Sequence, residues 1–292
     1  DEVICISKVT HEIVKEVAPG VSSCYLPHAV DSNVFYKYKT PEEVARIETV
    51  KDNIVSNQNK YNNRDKKIFF WNNRNARRKQ SGTIIWWFKE FLDDVGHDKA
   101  SLIMHTDARD PNGQDLPHII EHLKLTEGQI MLSTNKVQSP DLAAIYNTAD
   151  FTINIADAEG FGLATLESLS CGTPVIVNMT GGLQEQVTDG ENWFGFGIEP
   201  SSKAVIGSLT VPYIFEDRIS QKDFHATLKK ALNINAKTYK KMSLQGREHV
   251  RKNYNFDQYE KRWVQKMDEI VEKYGAWGTR SDYQRWHLLE VA

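Results

Sequence analysis

The sequence predicts an α/β chain built on a doubly wound parallel sheet. Three observations carry that prediction. Nearly continuous apolar runs at residues 68–71, 100–105, 151–155 and 174–178 read as strands buried on both faces. Helical patterns separate these runs, as parallel crossover connections require. Punctuation agrees: Pro140 stands at one helix start and Gly172 is a C-cap at another helix end.

Taken in order, residues 3–7 are a β-branched strand. Residues 10–17 form a helix stopped by Pro19-Gly20, and 23–27 are extended again. Residues 41–56 are helical, and the polar stretch 57–67 is a loop. A strand at 68–71 leads to a helix at 81–92 rich in Ile, Trp and Phe. A strand at 100–105, a helix at 117–125, a short strand at 130–132 and a helix at 141–149 follow. Next come the strand 151–155, the helix 163–171 and the strand 174–178. Phe256, Tyr259, Trp263, Met267, Ile270, Val271 and Tyr274 recur at three-and-four spacing, which marks an amphipathic helix over 256–274. The tail, residues 275–292, keeps Trp277, Tyr283, Trp286 and Leu288 and is expected to pack.

The chain has 292 residues, enough for one large domain or two modest ones. A 40% hydrophobic and 26% charged composition is that of a soluble globular protein. A formal net charge of -3 argues against nucleic acid as a partner, whose binders carry a basic excess. One local basic run, Lys60, Arg64, Lys66, Lys67, Arg74, Arg77, Arg78 and Lys79, has only Asp65 against it. Such a run is ordinarily a solvated surface, and part of it can face an anionic ligand. Cys5, Cys24 and Cys171 are few, odd in number and free of C-x-x-C spacing, so a reducing, cytoplasmic setting is expected. No apolar run reaches the roughly 20 residues that span a bilayer, and the first residues do not read as a secretory signal.

The chemistry concentrates between residues 151 and 178. Glu159-Gly160-Phe161-Gly162 forms a turn after a strand and before a helix. In an open α/β sheet ligands bind at such carboxyl ends. The helix N-terminus offers free N–H groups and partial positive charge, which suit a diphosphate. Glu159 precedes the turn and Glu167 lies in the helix, eight residues on. Taken alone, either glutamate reads as a complement to the helix dipole.

The wider context resembles the retaining GT-B glycosyltransferases of family 4. Glu159-Gly-Phe-Gly-Leu-Ala-Thr-Leu-Glu167 matches that family's E-x7-E motif. Asp141 to Asp150 is similar to the helix leading to its "AD" strand. Residues 170–177 resemble the next helix stop and strand, and 180–185 and 189–192 the following loop. Leu26-Pro-His-Ala-Val-Asp31 with Phe35 is similar to its interdomain linker, although His28 and Ala29 depart from Asn-Gly. Arg74 and Lys79 are spaced like its basic pair, with Gln80 where glycine is usual.

The resemblance implies a Rossmann-like domain, the C-terminal half of a GT-B fold. It implies a nucleotide-diphosphate sugar as donor substrate, GDP-mannose first and a UDP sugar second, with no cofactor and no metal. Glu159 would contact the sugar, and Arg74 and Lys79 the departing diphosphate. Phe161, Gly162 and Leu163 would offer backbone amides, Glu167 would hold the ribose, and Asn135 and Lys136 would border the base. Residues 1–30 are expected to be a remnant of an N-terminal acceptor domain plus linker. Residues 31–255 are then the donor-binding domain and 256–292 a crossover helix and tail. Most of the acceptor domain is expected to be absent, and any peripheral membrane contact to come through it. The acceptor, whether glycan, lipid or protein, is open. A binding module without independent catalysis and a sugar-nucleotide epimerase of GT-B fold are the alternatives.

Other signals carry less. His118 and His122 share a helix face but lack a third ligand. Cys171 reads as a buried inert thiol, Trp86-Trp87-Phe88 as core, and His28 as non-catalytic.

Overall fold

The computed structural model describes residues 2–56, 61, 63–276 and 278. Its main sheet holds six strands: β3 (Lys67–Asn72), β4 (Ala100–His105), β5 (Ile130–Ser133), β6 (Phe151–Asn154), β7 (Val175–Asn178) and β8 (Gly195–Ile198). Every pairing is parallel, in the order β5-β4-β3-β6-β7-β8. The strand order reverses between β3 and β6, so a crevice opens beyond their carboxyl ends.

Strand alternation divides the core in two. Phe69, Trp71, Leu102, Met104, Phe151 and Ile153 face one layer, built with α3 (Ser81–Val95), α4 (Leu116–His122) and α8 (Gln221–Leu232). Ile68, Phe70, Ile103, Val175 and Val177 face the other. That layer contains α5 (Ser139–Thr148), α6 (Leu163–Ser170), α7 (Leu183–Val187) and α9 (Ala236–Asn253). This two-sided burial is why the strands read as apolar runs rather than alternating ones.

The remaining elements lie outside that sheet. β1 (Glu2–Cys5) and β2 (Ser22–Tyr25) pair in parallel around α1 (Lys8–Val17). α2 (Pro41–Ser56) precedes β3 and packs on α5. β9 (Ser202–Val205) and β10 (Phe215–Arg218) form an antiparallel hairpin rising from the carboxyl end of β8. α10 (Phe256–Tyr274) has the expected bounds. Trp277, Tyr283, Trp286 and Leu288 lie outside the described residues.

The expected helix end at Gly172 needs one correction. Cys171 is the cap, and Gly172 follows it with φ +76°. Gly172 N–H donates to Leu169 O and Thr173 N–H to Ser168 O, both at 2.9 Å, which is the Schellman pattern. The loop expected over 180–185 is in part α7, and β8, the β9–β10 hairpin, α8 and α9 had no counterpart in the sequence reading. No helix among the described residues is long and apolar enough to cross a membrane.

Candidate functional site

At the carboxyl end of β3 the chain turns through a short 3-10 helix, Arg77–Lys79, and enters α3 through Gln80. Gln80 has φ +59°, in the left-handed region where glycine is favoured. Its side chain has work that glycine could not do: Nε2 donates to Asp157 Oδ2 at 2.5 Å, and Oε1 accepts from Thr83 at 2.6 Å. Asp157 N–H in turn donates to Arg78 O at 2.8 Å. The loop after β3 is thereby tied to the loop after β6, on either side of the crevice.

Lys79 and Glu159 meet across that crevice. Lys79 Nζ donates to Glu159 Oε2, and both side chains are almost wholly enclosed. Burial lowers the Lys79 pKa, while Glu159 opposes the shift. Arg74 goes elsewhere. Its guanidinium lies exposed and forms two hydrogen bonds to Asp110, at 2.6 and 3.2 Å, holding that carboxyl down at about 2. The expected basic pair is therefore one enclosed lysine and one surface arginine with a carboxylate partner 36 positions away.

Beyond Glu159 the backbone is kept open. Gly162 caps α6 with φ +96°, and the N–H groups of Phe161, Gly162, Leu163 and Ala164 have no acceptor among the described residues. The Phe161 ring is buried against His28 (5.2 Å, edge to face) and Tyr254. Leu163 is exposed. A second glycine pair clamps this loop from outside. Gly181 has φ +49°, and a Cβ there would lie 1.8 Å from Glu159 O. Gly182 N–H donates to the same oxygen at 3.2 Å.

Glu167 lies on the face of α6 turned to the sheet. Its Oε2 accepts from Tyr146 Oη at 2.8 Å, and Asn72 Nδ2 donates to that hydroxyl oxygen at 2.8 Å. Burial raises the Glu167 pKa, with the Tyr146 hydrogen bond opposing. Asn72, His105 and Ser133 are register partners at the ends of three adjacent strands, and His105 Nδ1 lies 2.9 Å from Ser133 Oγ. Asn135 and Lys136 sit exposed in the loop that follows. The structure thus joins Lys79 to Glu159 and backs Glu167 with Tyr146, but joins neither Arg74 nor the 135–136 loop to them.

Asn72, Tyr146 and Asp110 were missed by the sequence reading. The one signal for Asn72 was a polar residue ending an apolar strand. Asp157 is buried, and burial raises its carboxyl to about 6 despite Gln80 and the Arg218 guanidinium at 3.5 Å. The folded value lies above the ordinary 3.8, so folded protein binds the proton more tightly than unfolded chain. Stability from this group therefore falls as pH rises from about 4 to about 6, by roughly 2–3 kcal/mol at most. Asp157→Asn should stabilise the fold by about 1–2 kcal/mol above pH ~7 and leave it unchanged near pH ~4. Urea denaturation at the two pH values checks this.

Among the described residues no group of three His, Cys, Asp or Glu side chains is placed to hold a metal. The His118 and His122 rings simply stack, 6.5 Å apart. Cys171 is buried with its thiol pKa raised. Trp86 is half exposed, whereas Phe88 is core. A cavity of about 1010 Å³ lies between Lys8, Tyr25, His249 and Arg262 and contains none of Lys79, Glu159 and Glu167.

Comparison with known proteins agrees with this fold. The model of the family "Glycosyl transferases group 1" matches residues 55–249. The alpha-monoglucosyldiacylglycerol synthase of Streptococcus pneumoniae (strain ATCC BAA-255 / R6) is 25% identical over 227 residues, 76% of this chain and 48% of that protein. Among solved structures, sucrose-phosphate synthase from Thermosynechococcus elongatus superposes with TM-score 0.70 at 18% identity, covering 94% of this chain and 59% of the other. HepE from Anabaena, in complex with UDP and glucose, gives 0.67 at 14% identity, covering 91% and 62%. The chain thus spans about half the length of the pneumococcal relative.

Proposed function

This chain belongs to the glycosyl transferases group 1 family, and from that premise we propose that it is the donor-binding half of a retaining GT-B glycosyltransferase of family 4. The observation that carries the proposal is the enclosed Lys79–Glu159 pair at the strand-order reversal, beside four unengaged backbone N–H groups. A nucleotide-diphosphate sugar suits such a place. The amides and Lys79 receive the diphosphate, and Glu159 accepts hydrogen bonds from sugar hydroxyls. Glu167, held by Tyr146, accepts from the ribose, and Asn135 and Lys136 border the base.

In the transfer, the bond between anomeric carbon and diphosphate oxygen breaks and its electron pair leaves with the phosphate. An acceptor oxygen bonds to that carbon on the same face and gives its proton to the phosphate. Positive charge fixed in advance beside the developing phosphate charge is the chief contribution of Lys79. Arg74 adds to it once it shares or releases Asp110. No metal or cofactor enters this proposal.

Residues 31–255 form the donor domain in this reading, with 1–30 and 256–292 belonging to the junction with an acceptor-binding domain. Exposed apolar side chains support the division: Ile13 and Val17 on α1, and Val264, Met267 and Val271 on α10. Neither helix has a buried residue. The unpaired cysteines favour the cytoplasm as its compartment. GDP-mannose is the donor the sequence favoured, and a UDP hexose is the second, supported by the UDP and glucose named for HepE.

Calorimetric titration with GDP, UDP and ADP, with and without magnesium, tests the reading. Metal-independent binding of one nucleotide is the expected result, and binding of none would sink it. Within it, Glu167→Ala should lose about 1.5–3 kcal/mol of nucleotide affinity, the worth of one charge-assisted hydrogen bond. Unchanged affinity in the folded variant would remove Glu167 from the ribose.

A further inference from the structure

Gly172 follows the end of α6 with φ +76° and no side chain of its own, and three other side chains close over it. A Cβ there would meet Arg247 Cδ and Ser243 Oγ at 2.9 Å and Lys37 Cδ at 3.2 Å. The stems of Lys37 and Arg247 thus run side by side. Both residues line one cavity of about 380 Å³, walled by the segment 32–40 and by α9. Small-molecule sites commonly have volumes of roughly 300–1,000 Å³. Gly172 precedes β7, so the cavity lies at the amino ends of the strands, opposite the crevice that holds Lys79 and Glu159.

The charges around this cavity do not balance. Lys37 and Arg247 are partly buried, and neither side chain has a hydrogen bond or ion pair among the described residues. Each acid nearby is engaged elsewhere. Glu43 Oε2 accepts from the N–H groups of Lys39 and Thr40 at 2.6 and 2.9 Å, and its Oε1 accepts from Tyr36 Oη at 2.8 Å. Glu248 pairs with Arg251 at 2.7 Å. Asp150 accepts from Lys67 Nζ at 2.9 Å and from Ile68 N–H at 2.8 Å. Cys171 is a buried thiol with its pKa raised, so it carries no charge. Burial lowers the Lys37 pKa, and the Arg247 and Lys51 charges push it the same way. The carboxyl end of α6 attracts cations, but with only about half a charge. Its Ser168 and Leu169 carbonyls are already taken by Thr173 and Gly172 N–H, and Gly172 O by Ser243 Oγ at 2.6 Å. A charge withdrawn from water is costly until it is paired.

We propose that this cavity binds the phosphate group of a small soluble phosphate ester, at a site separate from the donor crevice. Lys37 and Arg247 hold the phosphate, with Lys39 exposed at the rim. The free polar groups here are donors, so the ligand supplies acceptors. A phosphate monoester does so and carries about 1.5–2 negative charges near neutral pH, matching two cations. A carboxylate brings one charge and leaves the second cation unbalanced.

Calorimetric titration with inorganic phosphate and with glycerol 3-phosphate, at ionic strength held constant with sodium chloride, tests the proposal. Both should bind this chain. Lys37→Met and Arg247→Gln should each weaken binding by about tenfold or more, the worth of one charge-assisted hydrogen bond. Each variant keeps the bulk of its stem and removes an unpaired charge, so neither should melt below wild type in phosphate-free buffer. Phosphate should raise the melting temperature of wild type and leave that of Lys37→Met unmoved. The crevice variant Lys79→Met/Glu159→Gln should bind phosphate like wild type. Absence of binding, or binding indifferent to Lys37 and Arg247, overturns the proposal. So does a loss that follows Lys79 instead. Exclusion of glycerol 3-phosphate while inorganic phosphate binds overturns the ester. Phosphatidylcholine vesicles containing phosphatidic acid should not carry the protein in flotation. Flotation that is lost in the same variants would assign the phosphate to a lipid headgroup and overturn the soluble ligand. Nucleotide titration of Lys37→Met should be unchanged, which separates failure here from failure of the donor site.

Discussion

Lys79→Ala is expected to destabilise the fold and to abolish tight nucleotide binding, and the two effects can be separated. Removing the ammonium leaves the Glu159 carboxylate enclosed without its partner. Breaking one side of a buried ion pair costs about 3–5 kcal/mol. The same change removes the cation proposed to meet the diphosphate, worth roughly 1.5–3 kcal/mol of affinity. Lys79→Met combined with Glu159→Gln removes both charges at similar volume, so most of the stability should return. Nucleotide affinity should not. Urea denaturation and calorimetry on the two variants supply both readings. If the double variant binds nucleotide like wild type, the pair is a structural ion pair and the diphosphate lies elsewhere.

Gly181→Ala is expected to be the most damaging single methyl group at the site. The left-handed backbone at Gly181 penalises any Cβ by about 1–2 kcal/mol. The added carbon would also fall 1.8 Å from the Glu159 carbonyl, a backbone atom that no rotamer change can move aside. Relieving that overlap adds about 1–3 kcal/mol. The displaced loop carries both Glu159 and the open amides, so nucleotide affinity should fall alongside stability. Gly190→Ala is the control. It shares a positive φ (+96°) but would meet nothing within 4 Å, so only the backbone penalty of about 1–2 kcal/mol applies. Equal losses for the two variants would show that the clamp on Glu159 carries no energy of its own.

The parts of the fold legible in the sequence were those whose burial leaves a pattern. Strands β3, β4, β6 and β7, covered on both faces, read as apolar runs, and α2 and α10 had their full lengths anticipated. Strand β8 was missed because Gly195 and Gly197 interrupt it. Gly195 is there because a Cβ would sit 1.9 Å from Val175 O, so close approach to β7 erased the hydrophobic signal. Helix α9 buries only Gly246, His249 and Val250, too few apolar groups to reveal a stripe. At the site, Lys79 and Glu159 were reached through a family resemblance, and the fold brings them together from 80 positions apart. Asp110 as the partner of Arg74 depends on how two loops pack, which no local pattern encodes. Gln80 had been read as a departure from glycine. The left-handed backbone is nevertheless kept, and the side chain is used to tie two loops together.

The clamp at Gly181 and Gly182 also bears on how such a site can be moved or inherited. Residues 159–167 hold both glutamates in one contiguous segment, which invites treatment as a portable cassette. Yet the carbonyl of Glu159 is seated by glycines from the following βα unit, and its carboxylate by a lysine from the short 3-10 helix after the first strand of the sheet. Grafted onto another parallel sheet, the nine residues would bring the glutamates without the groups that hold them. The smallest transplantable unit is therefore the pair of strands at the order reversal together with the loop that follows β7.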